Sequence, residues 1–288
     1  MDKKYFYDQA RASGIFEWIT EKILLKILWC SREHLFLLSD ISSSHLYSFQ
    51  KYLFEFQKWI PEAYILWEQE FYGRRFSCEN STLIPRKETE LLVDILKDIC
   101  FKRADMRESS YIDIGTWTSC ILTTLLLELQ PLRFSQVYWV DISDDILKLS
   151  QKNISFHWLS EVKLMQNSLL EWFLSDEALE LQKKCYISAN LPYVRAWDTD
   201  SMWKDVIVHE PSSALYWGED TWFELYEALL KQCFILKKIK KLQSIHLCIE
   251  IWYDQYEYSQ KVLSELWLQF EYFQDIHKIA RVIYITGF

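Results

Sequence analysis

From about residue 88 onward, short and mostly apolar runs alternate with longer runs whose apolar residues recur every three or four positions. The runs "YIDIG" (111–115), "QVYWVDI" (136–142), "VKLMQ" (162–166), "CYISAN" (185–190) and "SIHLCIEI" (244–251) read as buried strands. Between them "KETELLVDILKDICF" (87–101), "CILTTLLLEL" (120–129), "DDILKLSQKNI" (144–154) and "TWFELYEALLKQCFILKK" (221–238) read as helices, and a short helix and two strands near "YFQDI" and "RVIYIT" close the chain. About seven strands separated by helices can bury their apolar faces in few ways. The expected fold class is α/β, a doubly wound, Rossmann-like seven-stranded sheet with helices on both faces.

Residues 1–72 lack this alternation. "DQARASGIFEWITEKILLKILW" and "SSHLYSFQKYLFEFQKW" carry helical spacing alone, which predicts a small all-helical domain. Residues 73–87 follow as a connector: "EFYGRRFSCENSTLIP" alternates apolar and polar residues around Gly73, as a hairpin does. The α/β domain then spans 88–288.

Charge and composition narrow the function. The net charge of -9 provides no broad basic footprint for a nucleic-acid backbone, so a protein or small-molecule substrate is expected and no direct nucleic-acid partner. The run "LKKIKKLQ" reads as the solvated end of a helix. Seven cysteines with no CxxC pair, and six histidines with no HExxH spacing, indicate neither a disulfide framework nor a metal site. No signal peptide and no apolar run of about 18 residues is present, so the expectation is a cytoplasmic protein without a membrane partner; a monomer is expected.

In such sheets ligands sit beyond the carboxyl ends of the strands, which directs attention to four stretches. After the first strand, "DIGTWTSC" contains Asp113, Gly115, Thr116, Trp117, Thr118 and Ser119. It is the kind of turn in which backbone approaches a nucleotide-like ligand, and also a common strand-to-helix junction. Asp141, ending the next strand, can accept hydrogen bonds from both hydroxyls of a ribose or can cap the helix that follows. "NLPY", Asn190, Leu191, Pro192 and Tyr193, suits methyl transfer to a planar amide or amino nitrogen. The delocalised lone pair of such a nitrogen is a poor nucleophile. The Asn190 side-chain oxygen and the Leu191 carbonyl are placed to accept its two N–H bonds, with Tyr193 packed on the substrate plane. "LIPRKETE" (83–90) places Arg86, Glu88 and Glu90 where acidic residues also favour a helix start.

Taken in order, "IPEAYIL", "EFYGRRF", "LIPRKETELLV", "DIGT", "VDIS", "NLPY", "EPSSAL" (210–215) and "ARVIY" resemble the HemK/PrmC family. That family methylates the glutamine side-chain amide in the Gly-Gly-Gln loop of peptide-chain release factors, using S-adenosylmethionine. The resemblance covers nearly the whole chain. It implies that the helical domain binds the release factor and that the α/β domain is the S-adenosylmethionine-dependent methyltransferase. It assigns Asn190, Leu191, Pro192 and Tyr193 to the reaction, and Asp113, Gly115, Thr116, Trp117, Thr118, Ser119, Asp141, Leu169 and Asn190 to the cofactor. Three departures stand out: Ser119 replaces a loop glycine, Leu191 replaces the first proline of Asn-Pro-Pro-Tyr, and Ser168-Leu169 replace an acidic-aromatic pair.

The family pattern also exposes an anomaly. The chain has 5 glycines and 14 tryptophans. Trp59, Trp67, Trp117, Trp139, Trp217, Trp222 and Trp252 fall at or beside positions where the family has glycine, and Trp158 joins the set. Together the two residue types make 19 residues, close to the usual glycine share of about 7%. The implied explanation is a gene whose UGA codons are glycine but are rendered here as tryptophan. Three alternatives remain open at this stage. Asn-Leu-Pro-Tyr also occurs in methyltransferases that dimethylate ribosomal RNA adenine, a sister family methylates a ribosomal-protein glutamine, and genuine tryptophans would fit a release-factor-binding relative impaired in methyl transfer.

Overall fold

The computed structural model describes residues 1–58, 60–159, 162–175, 180–192 and 223–288. They form two compact units that part between Glu68 and Gln69.

The first unit is helical: α1 (Lys3–Ala12), α2 (Glu17–Leu28), α3 (Arg32–Leu37), α4 (Leu46–Gln57) and α5 (Glu62–Leu66). Side-chain caps start two of them, with Asp2 accepting the Lys4 N–H at 2.8 Å and Ser31 accepting that of His34 at 3.2 Å. The apolar stripes converge on Phe6, Ala10, Ile23, Leu24, Leu35, Phe49 and Leu53. Phe6 and Phe49 meet edge to face at 5.0 Å.

A hairpin follows, β1 (Glu68–Phe71) and β2 (Arg74–Ser77), so its first strand lies before residue 73, in the stretch expected to be helical. Tyr72 and Gly73 are both left-handed, the geometry a two-residue hairpin turn needs to match strand twist. There follow α6 (Glu90–Arg103), β3 (Ser109–Ile114), α7 (Cys120–Glu128), β4 (Gln136–Asp141), α8 (Asp144–Phe156), β5 (Lys163–Gln166), β6 (Lys184–Ala189), α9 (Glu224–Ile239), β7 (Ser244–Glu250), α10 (Tyr256–Glu265), β8 (Gln269–Gln274) and β9 (Ala280–Thr286). The strand anticipated at "YFQDI" thus begins and ends earlier.

Seven strands form one sheet in the order β5-β4-β3-β6-β7-β9-β8, with β9 antiparallel to both neighbours. β3 is buried along its whole length, as a central parallel strand covered on both faces must be; edge strand β8 alternates exposed and half-buried residues. The chain leaves β3 toward β4 on one side, and β6 lies on the other. That reversal, at the carboxyl ends of β3 and β6, is where open α/β sheets bind ligands in a crevice.

Candidate active site

Three strand ends meet at this reversal. Gly115 follows β3 with φ +68°, and its N–H donates to the Val140 carbonyl at 2.9 Å. A Cβ here would stand 3.1 Å from the Leu191 side chain and 3.3 Å from the Asn190 carbonyl oxygen, so glycine is what lets the turn close on the segment after β6. Asp113 is held by two hydroxyls, Thr116 donating at 3.0 Å and Ser188 donating to the other oxygen. Its complete burial still pushes the carboxyl up to about 7.

Asp141 ends β4, buried, and accepts the Ser143 N–H at 3.0 Å and the Trp117 N–H at 3.4 Å. Burial raises it to about 6. It is not the cap of the next helix, because the Ser143 hydroxyl accepts the Ile146 N–H at 3.4 Å and performs that task. The carboxylate therefore keeps acceptor capacity for a ligand.

Asn190 follows β6 and is 3% exposed, and its side-chain oxygen Oδ1 is buried with no hydrogen-bond partner among the described residues. Its amide Nδ2 reaches the Thr89 hydroxyl at 3.5 Å, the outer limit of a hydrogen bond. Glu250 is a buried acid that desolvation raises to about 7, with the Thr89 hydroxyl opposing part of that rise. Thr89 is thus the member of "LIPRKETE" that touches Asn190. Glu90 instead accepts the Tyr72 N–H at 2.8 Å and fixes the hairpin, and Lys87 pairs with it at 2.5 Å.

Trp117 stands in the middle of these groups, 8% exposed, at φ +50°. Its indole Nε1 donates to the Asn190 carbonyl at 2.9 Å, and its own carbonyl accepts the Ser150 hydroxyl at 2.8 Å. Ser119 is left-handed at φ +62° and precedes α7. Thr118 offers its carbonyl to Asn153 at 2.9 Å. Leu169, also left-handed, is buried in a hydrophobic core shared with residues of β3, β4, β6, β7 and β9. The structure thus gathers Asp113, Gly115, Thr116, Trp117, Asp141, Asn190, Leu191 and, through Thr118 and Ser119, the start of α7. Tyr193 and "EPSSAL" lie outside the described residues.

Thr89, Ser188, Tyr226 and Glu250 were not singled out from sequence. Ser188 and Glu250 sit in strands where burial gives them no periodic signal, and Tyr226 reads as one more apolar residue of α9. Among the described residues no group of acids, histidines or cysteines is arranged to hold a metal ion, and no helix is long and apolar enough to cross a membrane.

The residues fit S-adenosylmethionine in part. A buried carboxylate at the end of β4 and a glycine turn pressed against Asn190 suit it; an indole bonded across that turn does not.

No family model matches the chain. It is 30% identical over 252 residues to a bifunctional methyltransferase of Rickettsia bellii, covering 78% of this chain and 43% of that protein. With the corresponding protein of Rickettsia prowazekii the share is 50%, so the chain spans about half the length of these relatives. It is 26% identical over 240 residues to the release factor glutamine methyltransferase of Aquifex aeolicus, covering 82% of this chain and 78% of that one. The corresponding protein of Bacillus subtilis is 29% identical over 201 residues, covering 69% and 67%. Among solved structures, the human METTL16 N-terminal domain in complex with SAH superposes with a TM-score of 0.50 at 19% identity, covering 74% of this chain and 76% of that one. The hMettl16 catalytic domain with a MAT2A hairpin gives 0.54 at 14%, covering 82% and 91%. At such identities the likeness is one of fold. The HemK/PrmC resemblance of the motifs thus extends along most of the sequence, and the chain is a homologue of the release factor glutamine methyltransferases on a Rossmann-like methyltransferase fold.

Proposed function

We propose that the chain transfers a methyl group from S-adenosylmethionine to the side-chain amide nitrogen of the glutamine in the Gly-Gly-Gln motif of peptide-chain release factors. One observation carries this reading: Asn190 Oδ1 is a buried acceptor with no partner among the described residues, beside a glycine turn whose following residue bonds to the buried Asp141 carboxylate. A buried polar atom without a partner is costly unless a ligand satisfies it. A glutamine side-chain amide brings two N–H donors. Asn190 Oδ1 would accept one and the Leu191 carbonyl the other, fixing the plane of the amide so that its nitrogen lone pair faces the electrophile. When bound, S-adenosylmethionine supplies that electrophile as a methyl on sulfonium.

Asp141 would hold the ribose hydroxyls. Gly115, Thr116 and residues 117–119 would wrap the rest of the cofactor, with Leu169 on the adenine side. Pro192 and Tyr193 would complete the substrate wall. No strong base is needed, because the nitrogen carries its proton until the methyl has moved and can release it to solvent; positioning and electrostatics carry the rate. Residues 1–72 would dock the release factor, residues 73–87 would connect, and 88–288 would perform the transfer.

The test uses protein with glycine at position 117, a release factor and S-adenosylmethionine bearing a labelled methyl. Label on the Gly-Gly-Gln peptide is expected. Asn190→Ala should leave cofactor affinity nearly unchanged and lower turnover about a hundredfold or more. Turnover within a few-fold of the parent would remove Asn190 from its role, and label found only on a ribosomal protein would replace the substrate. Trp117 favours a second reading of the chain as written: its indole obstructs the turn, leaving a release-factor-binding relative impaired in methyl transfer.

A further inference from the structure

Five of the nine described tryptophans have a left-handed backbone: Trp29 at φ 50°, Trp67 at 56°, Trp117 at 50°, Trp158 at 60° and Trp267 at 55°. Among the described tyrosines only Tyr72 does so, and among the described phenylalanines none. Large aromatic side chains in general are therefore not drawn to this conformation here; tryptophan specifically is. For a bulky residue this backbone is an outlier, since Cβ crowds the neighbouring carbonyl oxygen.

The surroundings provide no compensation. Trp29, Trp158 and Trp267 are 93%, 92% and 91% exposed, so their indoles bury almost nothing. Each follows a helix end: Trp29 is the left-handed cap of α2, Trp158 comes just after α8, and Trp267 just after α10. Around the last two, the next residue's N–H bonds five residues back, Leu159 to the Ile154 carbonyl at 3.2 Å and Leu268 to the Leu263 carbonyl at 3.1 Å. That is the helix stop in which glycine normally takes the left-handed place. The chain supplies its own comparison at the end of α1, where Gly14 has φ +76° and Ile15 donates to the Ala10 carbonyl at 2.9 Å. Lys241 shows that a side chain is tolerated at such a stop, after α9; nothing shows why an exposed indole would be chosen for it repeatedly.

We propose that the functional gene product carries glycine at Trp29, Trp67, Trp117, Trp158 and Trp267, the codons there being UGA decoded as glycine. Trp29 and Trp267 belong to this group on backbone geometry alone, without any motif. A buried tryptophan adds a further member: Trp139 is fully buried in β4, and its indole N–H has no partner, an arrangement that a smaller residue would relieve. At position 117 the consequence is functional. Without the indole, the donor at 2.9 Å from the Asn190 carbonyl disappears and the turn after β3 opens to a ligand.

Two measurements test this. Mass spectrometry of the protein from its own cells, beside the coding DNA, should show glycine peptides and TGA codons at the five positions; tryptophan peptides with TGG codons overturn the proposal. On the chain as written, Trp158→Gly and Trp267→Gly should each raise the melting midpoint by about 2 °C or more. Trp18→Gly, at a half-exposed position in the first turn of α2, should lower it, because glycine loses more backbone freedom on entering a helix. If the first two substitutions also lower the midpoint, the backbone does not demand glycine and the proposal fails. Neither measurement depends on methyl transfer, so failure of that activity and failure of this proposal are separable.

Discussion

At Leu191 the backbone N–H donates to the Tyr226 hydroxyl at 3.1 Å, and that hydroxyl donates to the Glu250 carbonyl. The family resemblance places proline at this position, which has no N–H to satisfy; leucine introduces one in a buried segment, and Tyr226 on α9 receives it. The carbonyl beside that N–H is one of the two acceptors proposed for the substrate amide, so Tyr226 acts as a positioning residue. In the protein with glycine at 117, Tyr226→Phe should cost about 1–3 kcal/mol of stability by orphaning the N–H. It should also lower kcat more than it raises KM. Adding Leu191→Pro should recover much of both losses, since the donor is gone. Equal losses with and without the proline, in a double-mutant cycle, would assign Tyr226 a merely structural contribution. The acceptor role proposed for Asn190 was suggested by "NLPY", whereas Thr89 reaches Asn190 from 101 positions away and Tyr226 reaches Leu191 from 35, distances no local pattern spans.

Among the elements, α8 does more than cover the sheet. Its Asn153, buried, accepts the Ser77 N–H at 2.7 Å and donates to the Ser77 carbonyl at 3.0 Å and the Thr118 carbonyl at 2.9 Å. One side chain thereby fastens the connector hairpin and the loop after β3 to the same helix. Asn153→Leu leaves three backbone groups without their partner and should destabilise the protein by about 2–5 kcal/mol, read from urea unfolding with the slope unchanged. A loss below 0.5 kcal/mol would mean that water replaces the amide fully. The helical spacing of "DDILKLSQKNI" was sufficient to place α8. That Asn153 faces inward to bond rather than outward to solvent is set by the hairpin packed against it, which the helix sequence alone does not contain.

Across the whole molecule, three buried acids share one electrostatic condition. Burial raises Asp113 and Glu250 to about 7 and Asp141 to about 6, against about 4 in an unfolded chain. The folded state therefore holds these protons more tightly than the unfolded one. Their contribution to stability is fully present below about pH 4 and is lost as pH rises through 6 to 7. The unfolding midpoint of the protein without cofactor should accordingly be higher at pH 6 than at pH 8. Cofactor affinity should move the other way, weakening below about pH 6, because in the proposed site both ribose hydroxyls donate to Asp141, which accepts two such bonds best when ionised. Calorimetry and urea titration across this range would check both. An affinity that rises on acidification would remove Asp141 from the ribose site.

By itself the sequence determined the alternation of strands and helices, and with it the sheet, because burial on both faces leaves short runs rich in apolar residues along β3 and β6. It also marked where the proposed site lies, since strand ends and glycine turns are marked by local residue types. Only the tertiary structure decided which distant side chains complete that chemistry: Thr89 beneath Asn190, Tyr226 under Leu191, Ser188 on Asp113. It alone separated the tryptophans that an ordinary backbone accepts from those that stand where glycine belongs. The reason is physical: a hydrogen bond between segments, or the sign of a φ angle at a helix end, is fixed by what the chain folds against, and neither is encoded in the residue that bears it.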